Sequence, residues 1–127
     1  PDGRSFTFYS VKAKAKIIDF WASWCGPCRA MIPELKELYA EFHDKGLEIV
    51  GISLDEQKEA WLKALEDENL SWVNGVDLRG MKLDAPIVST YGIFGIPHMV
   101  LVDKDNRIVA TKIRGETLRK QLERLLN

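Results

Sequence analysis

Apolar and polar positions follow one another along this chain in blocks that predict strands and helices in turn. Lys16-Ile17-Ile18-Asp19-Phe20 is a short apolar run interrupted by a single acid, which suits a central strand buried on both faces. Burial would make Asp19 unusual, because an ionised carboxylate is costly away from water. Beyond a Cys-Gly-Pro-Cys turn, Leu35, Leu38, Tyr39 and Phe42 recur at helical spacing and Gly46 supplies a stop. A helix is therefore predicted from Cys28 to Lys45, bent near Pro33. Leu47 to Leu54 carries no charge beyond Glu48 and reads as a second buried strand, so the three elements form a βαβ unit with a parallel pair.

Glu56 to Glu68 places Trp61, Leu62 and Leu65 among charges, as an amphipathic surface helix does, and a second crossover is expected. From Leu70 to Tyr91 the pattern weakens, punctuated by Gly75, Gly80 and Pro86. Irregular structure is expected there, closing with a short helix over Pro86–Tyr91. His98 to Val102 and Arg107 to Thr111 flank the polar turn Asp103-Lys104-Asp105-Asn106, which predicts an antiparallel hairpin. Leu118, Leu122, Leu125 and Leu126 define a final amphipathic helix. With no repeat, low-complexity tract or linker, the expectation is one α/β domain over residues 1–127, either a mature protein or a domain excised from a longer chain.

Composition then removes several classes of function. Eighteen Lys plus Arg against nineteen Asp plus Glu give a net charge of −1, so no overall field favours nucleic acid or an anionic membrane surface. No apolar run approaches the roughly 20 residues of a membrane helix, and no secretory signal pattern appears. Two cysteines separated by two residues cannot form the long-range framework of a disulfide-stapled scaffold. They are chemical, metal-binding or incidental. A structural zinc site needs about four Cys or His ligands, and only His43 and His98 could complete the set. No metal or cofactor is expected.

The chemistry concentrates in Trp24-Cys25-Gly26-Pro27-Cys28, just after a buried strand and at the start of a helix. Unpaired N–H groups at a helix N-terminus stabilise negative charge, so the Cys25 thiolate is favoured relative to a free thiol of pKa about 8.5. Two intervening residues bring Cys28 back one turn below, where it can attack a mixed disulfide held on Cys25. Pro27 suits the first helical turn, and Gly26 lets a partner approach closely. Trp21 and Trp24 flank the turn; either could cover the dithiol and contact substrate, although core packing explains Trp21 equally well.

Over residues 16–127 the chain resembles the thioredoxin superfamily. The resemblance is carried by Asp19-Phe20-Trp21-Ala22-Ser23-Trp24-Cys25-Gly26-Pro27-Cys28, by the helical Pro33, and by Gly95-Ile96-Pro97 before an apolar strand. Gly46 to Asp55, the extra segment up to Tyr91 and Ile113-Arg114-Gly115-Glu116 look like the TlpA/ResA-like branch. This resemblance implies a thioredoxin fold: a central mixed β-sheet flanked by helices, with an insertion before a cis-proline loop. It implies a thiol–disulfide oxidoreductase that reduces protein disulfides, is recharged by an upstream thiol donor, works as a monomer, and resides in a bacterial periplasm or cell envelope. It further implies that Asp19 relays a proton to and from Cys28. Pro97 would be a cis-proline facing the dithiol, with the Ile96 backbone pairing an extended substrate.

The chain departs from the family pattern in two places. No lysine lies in the strand Leu47–Ser53, where thioredoxins often place one near the buried acid, and Met31 stands where ResA-like proteins commonly carry a functional Glu. His98, directly after Pro97, is read as a structural strand residue in preference to a catalytic base. Ile93 and Phe94 could rim a substrate surface or belong to the core, and the charged run Lys58 to Glu68 is a solvated helix face. Two rival readings stay open: a thioredoxin-like binding module with vestigial cysteines, and a peroxiredoxin-type peroxidase. The intact Cys-Gly-Pro-Cys argues against the first, and Trp21-Ala22-Ser23-Trp24 in place of a Pro- and Thr-containing peroxidatic motif argues against the second.

Overall fold

The computed structural model describes residues 13–70, 72–76, 95–105, 107–113 and 115–126. Strand β1 (Ala15–Trp21) is buried along its whole length, because it is central in the sheet and side chains pack against both of its faces. It pairs in parallel with β2 (Leu47–Ser53) and antiparallel with β4 (His98–Asp103). With β3 (Val73–Val76) and β5 (Ile108–Thr111) outermost, the mixed five-stranded sheet runs β3-β2-β1-β4-β5. This is the thioredoxin arrangement that the resemblance implied.

Side chains alternate across the sheet, so each strand serves two cores. On one face Ala15, Ile17, Leu47, Ile49 and Leu101 pack against Ile32, Leu35, Leu38 and Phe42 of α2 (Ile32–Phe42) and against Leu118 and Leu122 of α4 (Gly115–Leu126). On the other, Ile18, Phe20, Val50, Ile52, Val100 and Val102 form a second apolar layer. Leu122 is fully buried, so truncating it to Ala should destabilise by about 2–5 kcal/mol. A third cluster joins Trp21, Ala22, Cys25 and Cys28 to Trp61 and Ala64 of α3 (Lys58–Glu68). That cluster ties the dithiol to the sheet end.

Three local features differ from the sequence reading. The predicted single helix is divided into α1 (Gly26–Ala30) and α2, with Met31 as the joint and a 3-10 turn, His43–Lys45, after α2. Pro33 has no N–H to return to the Arg29 carbonyl, and its ring would crowd that oxygen in a continuous helix. The break upstream instead puts Pro33 in the first turn of α2, where a missing N–H costs nothing. The segment read as irregular contains β3, whose Val73 and Asn74 pair with Val50 and Gly51. Val-Asn-Gly-Val is too short and too poor in strand formers to announce itself, and the open edge of β2 recruits it. α3 begins at Lys58 instead of Glu56. The helix predicted over Pro86–Tyr91, with Ile93 and Phe94, lies outside the described residues.

Turn chemistry fixes the remaining joints. Gly46 ends the 3-10 turn at φ 114°, and a Cβ there would also come within 2.8 Å of the Lys14 side chain, so both conformation and space demand glycine. The β4–β5 hairpin is held by Asp103 Oδ1, which accepts from the N–H groups of Asp105 at 2.9 Å and Arg107 at 3.0 Å. Among the described residues, no helix is long and apolar enough to cross a membrane.

Candidate active site

β1 ends at Trp21, and the chain turns through Ala22-Ser23-Trp24 to deliver Cys25 at the N-cap of α1. Cys25 and Cys28 are joined as a disulfide with Cα atoms 5.2 Å apart, so the structure holds the oxidised state. Cys25 Sγ accepts from the Cys28 N–H at 3.1 Å. Since α1 has only five residues, stabilisation of a Cys25 thiolate comes from such first-turn N–H groups more than from a long helix dipole. Cys25 Sγ also lies 3.8 Å from the Ile96 carbonyl oxygen, to which the reduced thiol can donate. The Ile96–Pro97 peptide is cis, and the Cys25–Ile96 contact brings together residues 71 positions apart in sequence.

Around this point the surface is uneven. Trp24 is 63% exposed, whereas Cys25 and Cys28 are 5% and 2% exposed. Gly26 and Pro27 are exposed, Ile96 and Pro97 half-buried. A Cβ on Gly26 would meet nothing within 4 Å, so its face is open to an incoming partner. Trp21 is buried in the cluster with the cysteines, which agrees with core packing.

Asp19 occupies β1 with Gly51 beside it on β2 and Met99 beside it on β4. It is buried, and with no cation among these neighbours its pKa is pushed from 3.8 up to about 7 by desolvation. A carboxyl poised near neutrality can accept and return a proton at physiological pH. His98, by contrast, pairs in register with Phe20 and packs edge-on to its ring, 5.9 Å away, on the sheet face opposite Asp19. It is buried, and desolvation, with Lys112 second, lowers its pKa. That placement fits the structural reading. Met31 is half-buried against the α2 core.

The sequence reading missed a clamp on the loop before Cys25. Buried Asp55 accepts from the Ser23 N–H at 3.2 and 3.0 Å, from Ser23 Oγ at 2.6 Å, and from Ser53 Oγ. Arg29, paired with Glu68 at 2.7 Å, donates to the Ser23 carbonyl at 3.3 Å. Thus Ser23, two residues from Cys25, is held on its N–H, hydroxyl and carbonyl at once. The only sequence signal was an acid just past the end of a buried strand, and nothing local named its partner.

Comparison with known proteins gives a consistent picture. Residues 13–108 match a thioredoxin-like family. The thiol-disulfide oxidoreductase ResA of Bacillus thuringiensis subsp. konkukian (strain 97-27) is 31% identical over 125 residues, which cover 98% of this chain and 69% of that protein. ResA of Bacillus anthracis is 33% identical over 122 residues, 96% of this chain and 67% of the relative. Among solved structures, the thioredoxin domain of a thiol-disulfide oxidoreductase from Bacteroides vulgatus superimposes with a TM-score of 0.86 at 34% identity, covering 98% of this chain and 88% of the other. A thiol-disulfide oxidoreductase from Bacteroides fragilis NCTC 9343 does so with a TM-score of 0.81 at 35% identity, covering 91% and 83%.

Proposed function

Because this chain belongs to the thioredoxin-like family and is a thiol–disulfide oxidoreductase of its TlpA/ResA-like branch, we propose that it works as a reductase of protein disulfides, with Cys25 attacking and Cys28 resolving. The observation that carries this reading is the seat of Cys25 Sγ, at the α1 N-cap and 3.8 Å from the Ile96 carbonyl. In the reduced protein the Cys25 thiolate attacks one sulfur of a substrate disulfide. The substrate S–S bond breaks, a mixed disulfide forms, and the departing substrate thiolate takes up a proton. Cys28 then gives its proton to the Asp19 carboxylate and attacks Cys25 Sγ. The mixed-disulfide S–S bond breaks, the second substrate sulfur leaves as a thiolate that takes up the proton held on Asp19, and the protein ends in the disulfide form seen here. A dithiol donor reverses that last state by the same exchange chemistry.

Substrate is held by the exposed surface of Trp24, Gly26 and Pro27 on one side and by the Ile96–Pro97 segment on the other. An extended peptide pairs with the Ile96 backbone while its disulfide faces Cys25. The protein acts as a monomer in a bacterial periplasm or cell envelope, a setting supported by the bacterial origin of its ResA relatives. Gly-Pro between the cysteines supports a reducing role over an oxidising one.

Two measurements test this. Insulin reduction with a thiol donor should proceed with the parent and vanish in Cys25→Ser, whereas Cys28→Ser should accumulate mixed disulfides visible on a nonreducing gel. Trapping by Cys25→Ser instead would reverse the assignment. The reduction potential should fall nearer thioredoxin's value of about −270 mV than DsbA's of about −120 mV; a value near the latter would refute the reductase reading.

A further inference from the structure

Beside Asp19 the sheet lacks a side chain. Asp19 pairs with Gly51 on β2, and Gly51 with Asn74 on β3, so the three positions line up on one sheet face with glycine in the middle. Three polar atoms converge on that point. A Cβ on Gly51 would stand 2.7 Å from Asn74 Oδ1 and 3.4 Å from both Trp21 Nε1 and Trp72 Nε1. Each of these atoms is buried with no hydrogen-bond partner among the described residues. The Asn74 amide has its orientation set, because Nδ2 donates to the Trp72 carbonyl at 2.7 Å, which leaves the oxygen facing Gly51. Native folds rarely leave such a group unsatisfied, and three together would be a heavy cost.

One water molecule satisfies the whole set, since water accepts two hydrogen bonds and donates two. The Trp21 and Trp72 indoles supply the two donors. Asn74 Oδ1 can take one water proton, and the Asp19 carboxylate, on the β1 position paired with Gly51, is the polar group placed to take the other. We propose that Trp21, Trp72 and Asn74 build an internal water site over Gly51 whose fourth hydrogen bond goes to Asp19, which makes them positioning residues for proton transfer at the dithiol. With both of its acceptor directions filled by indoles, this water can only donate to Asp19. It therefore favours the ionised carboxylate, the form that takes the Cys28 proton, without any cation on β2. Gly51 is the residue that makes room for it. The site stands on packing alone, while its effect on turnover rests on the role proposed above for Asp19.

Water-to-protein nuclear Overhauser measurements on the folded chain test the site directly. Both indole N–H protons, of Trp21 and of Trp72, should show contacts to a long-lived water, and Gly51→Ala should abolish them. Trp72→Phe removes one donor with little change of shape. It should raise the Asp19 pKa, followed by carbon-13 carboxyl titration, because the water regains an acceptor direction with which it can bind the protonated carboxyl as well as the ionised one. Absence of water contacts at both indoles in the parent, or an Asp19 titration unmoved by Trp72→Phe, would overturn the proposal. Turnover unchanged by Asp19→Asn while the water contacts persist would instead remove the proton-acceptor role and leave the water site standing.

Discussion

Replacing Asp19 with Asn measures what burying this carboxylate costs. The two side chains have nearly the same shape, so packing beside Gly51 and Met99 is kept while the charge is lost. Desolvation raises the Asp19 pKa from 3.8 to about 7 in the folded protein. In the unfolded chain the group ionises near pH 4, so between about pH 4 and 7 the unfolded state releases a proton that the folded state keeps. Stability therefore falls as pH rises through this window and is level on either side of it, the reverse of a salt-bridged carboxylate. Three pKa units at 1.36 kcal/mol each set the full loss at about 4 kcal/mol. A water donating to Asp19 would reduce it, so this figure is an upper bound.

Urea unfolding of the disulfide-bonded parent and of Asp19→Asn, at about pH 4 and about pH 8, reads the difference. The amide adds its own desolvation cost, but that cost does not depend on pH. The informative quantity is thus the change in the stability offset between the two pH values. The offset should move in favour of Asp19→Asn by several kcal/mol on going to pH 8. An offset equal at both values would refute the claim that Asp19 is protonated by burial. The proton-acceptor role proposed for Asp19 further predicts that the same variant slows insulin reduction.

Asp55→Ala leaves the Ser23 N–H and hydroxyl and the Ser53 hydroxyl without their acceptor; urea unfolding should show a loss of about 2–4 kcal/mol, and a loss below about 1 kcal/mol would mean that the clamp is dispensable. Trp24→Ala removes a side chain that is 63% exposed, so stability should stay within about 0.5 kcal/mol while KM for a protein disulfide rises more than for a small aromatic disulfide; equal effects on both substrates would exclude Trp24 from the docking surface. For His98, burial and then Lys112 lower the folded pKa, so the unfolded chain takes up a proton first and stability is lost as pH falls below about 6.5. His98→Phe should lessen that acid loss in urea midpoints, and an unchanged acid limb would contradict the burial argument.

Much of this molecule is written in local sequence. The run Lys16 to Phe20 announces a strand buried on both faces, and the helical spacing of Leu35, Leu38 and Phe42 announces what covers it. The placement of Cys25-Gly26-Pro27-Cys28 between them announces the chemistry. These features are legible because periodicity records how many faces of a segment are buried, and because first-turn N–H groups act on a cysteine wherever a helix begins. Partner identity is not recorded in that way. Val73 to Val76 became a strand only when β2 offered an open edge, and the helix broke at Met31 because Pro33 and the Arg29 carbonyl could not share a turn. Asp55 found Ser23 across 32 residues. Asp19, Gly51 and Asn74 came into line only through the register of three strands. A single residue's slip in that register would have put Asn74 on the opposite face. Local pattern is enough to place the elements and the dithiol, whereas the buried polar groups around them are chosen by hydrogen bonds between distant segments, which depend on register and topology and which no local pattern carries.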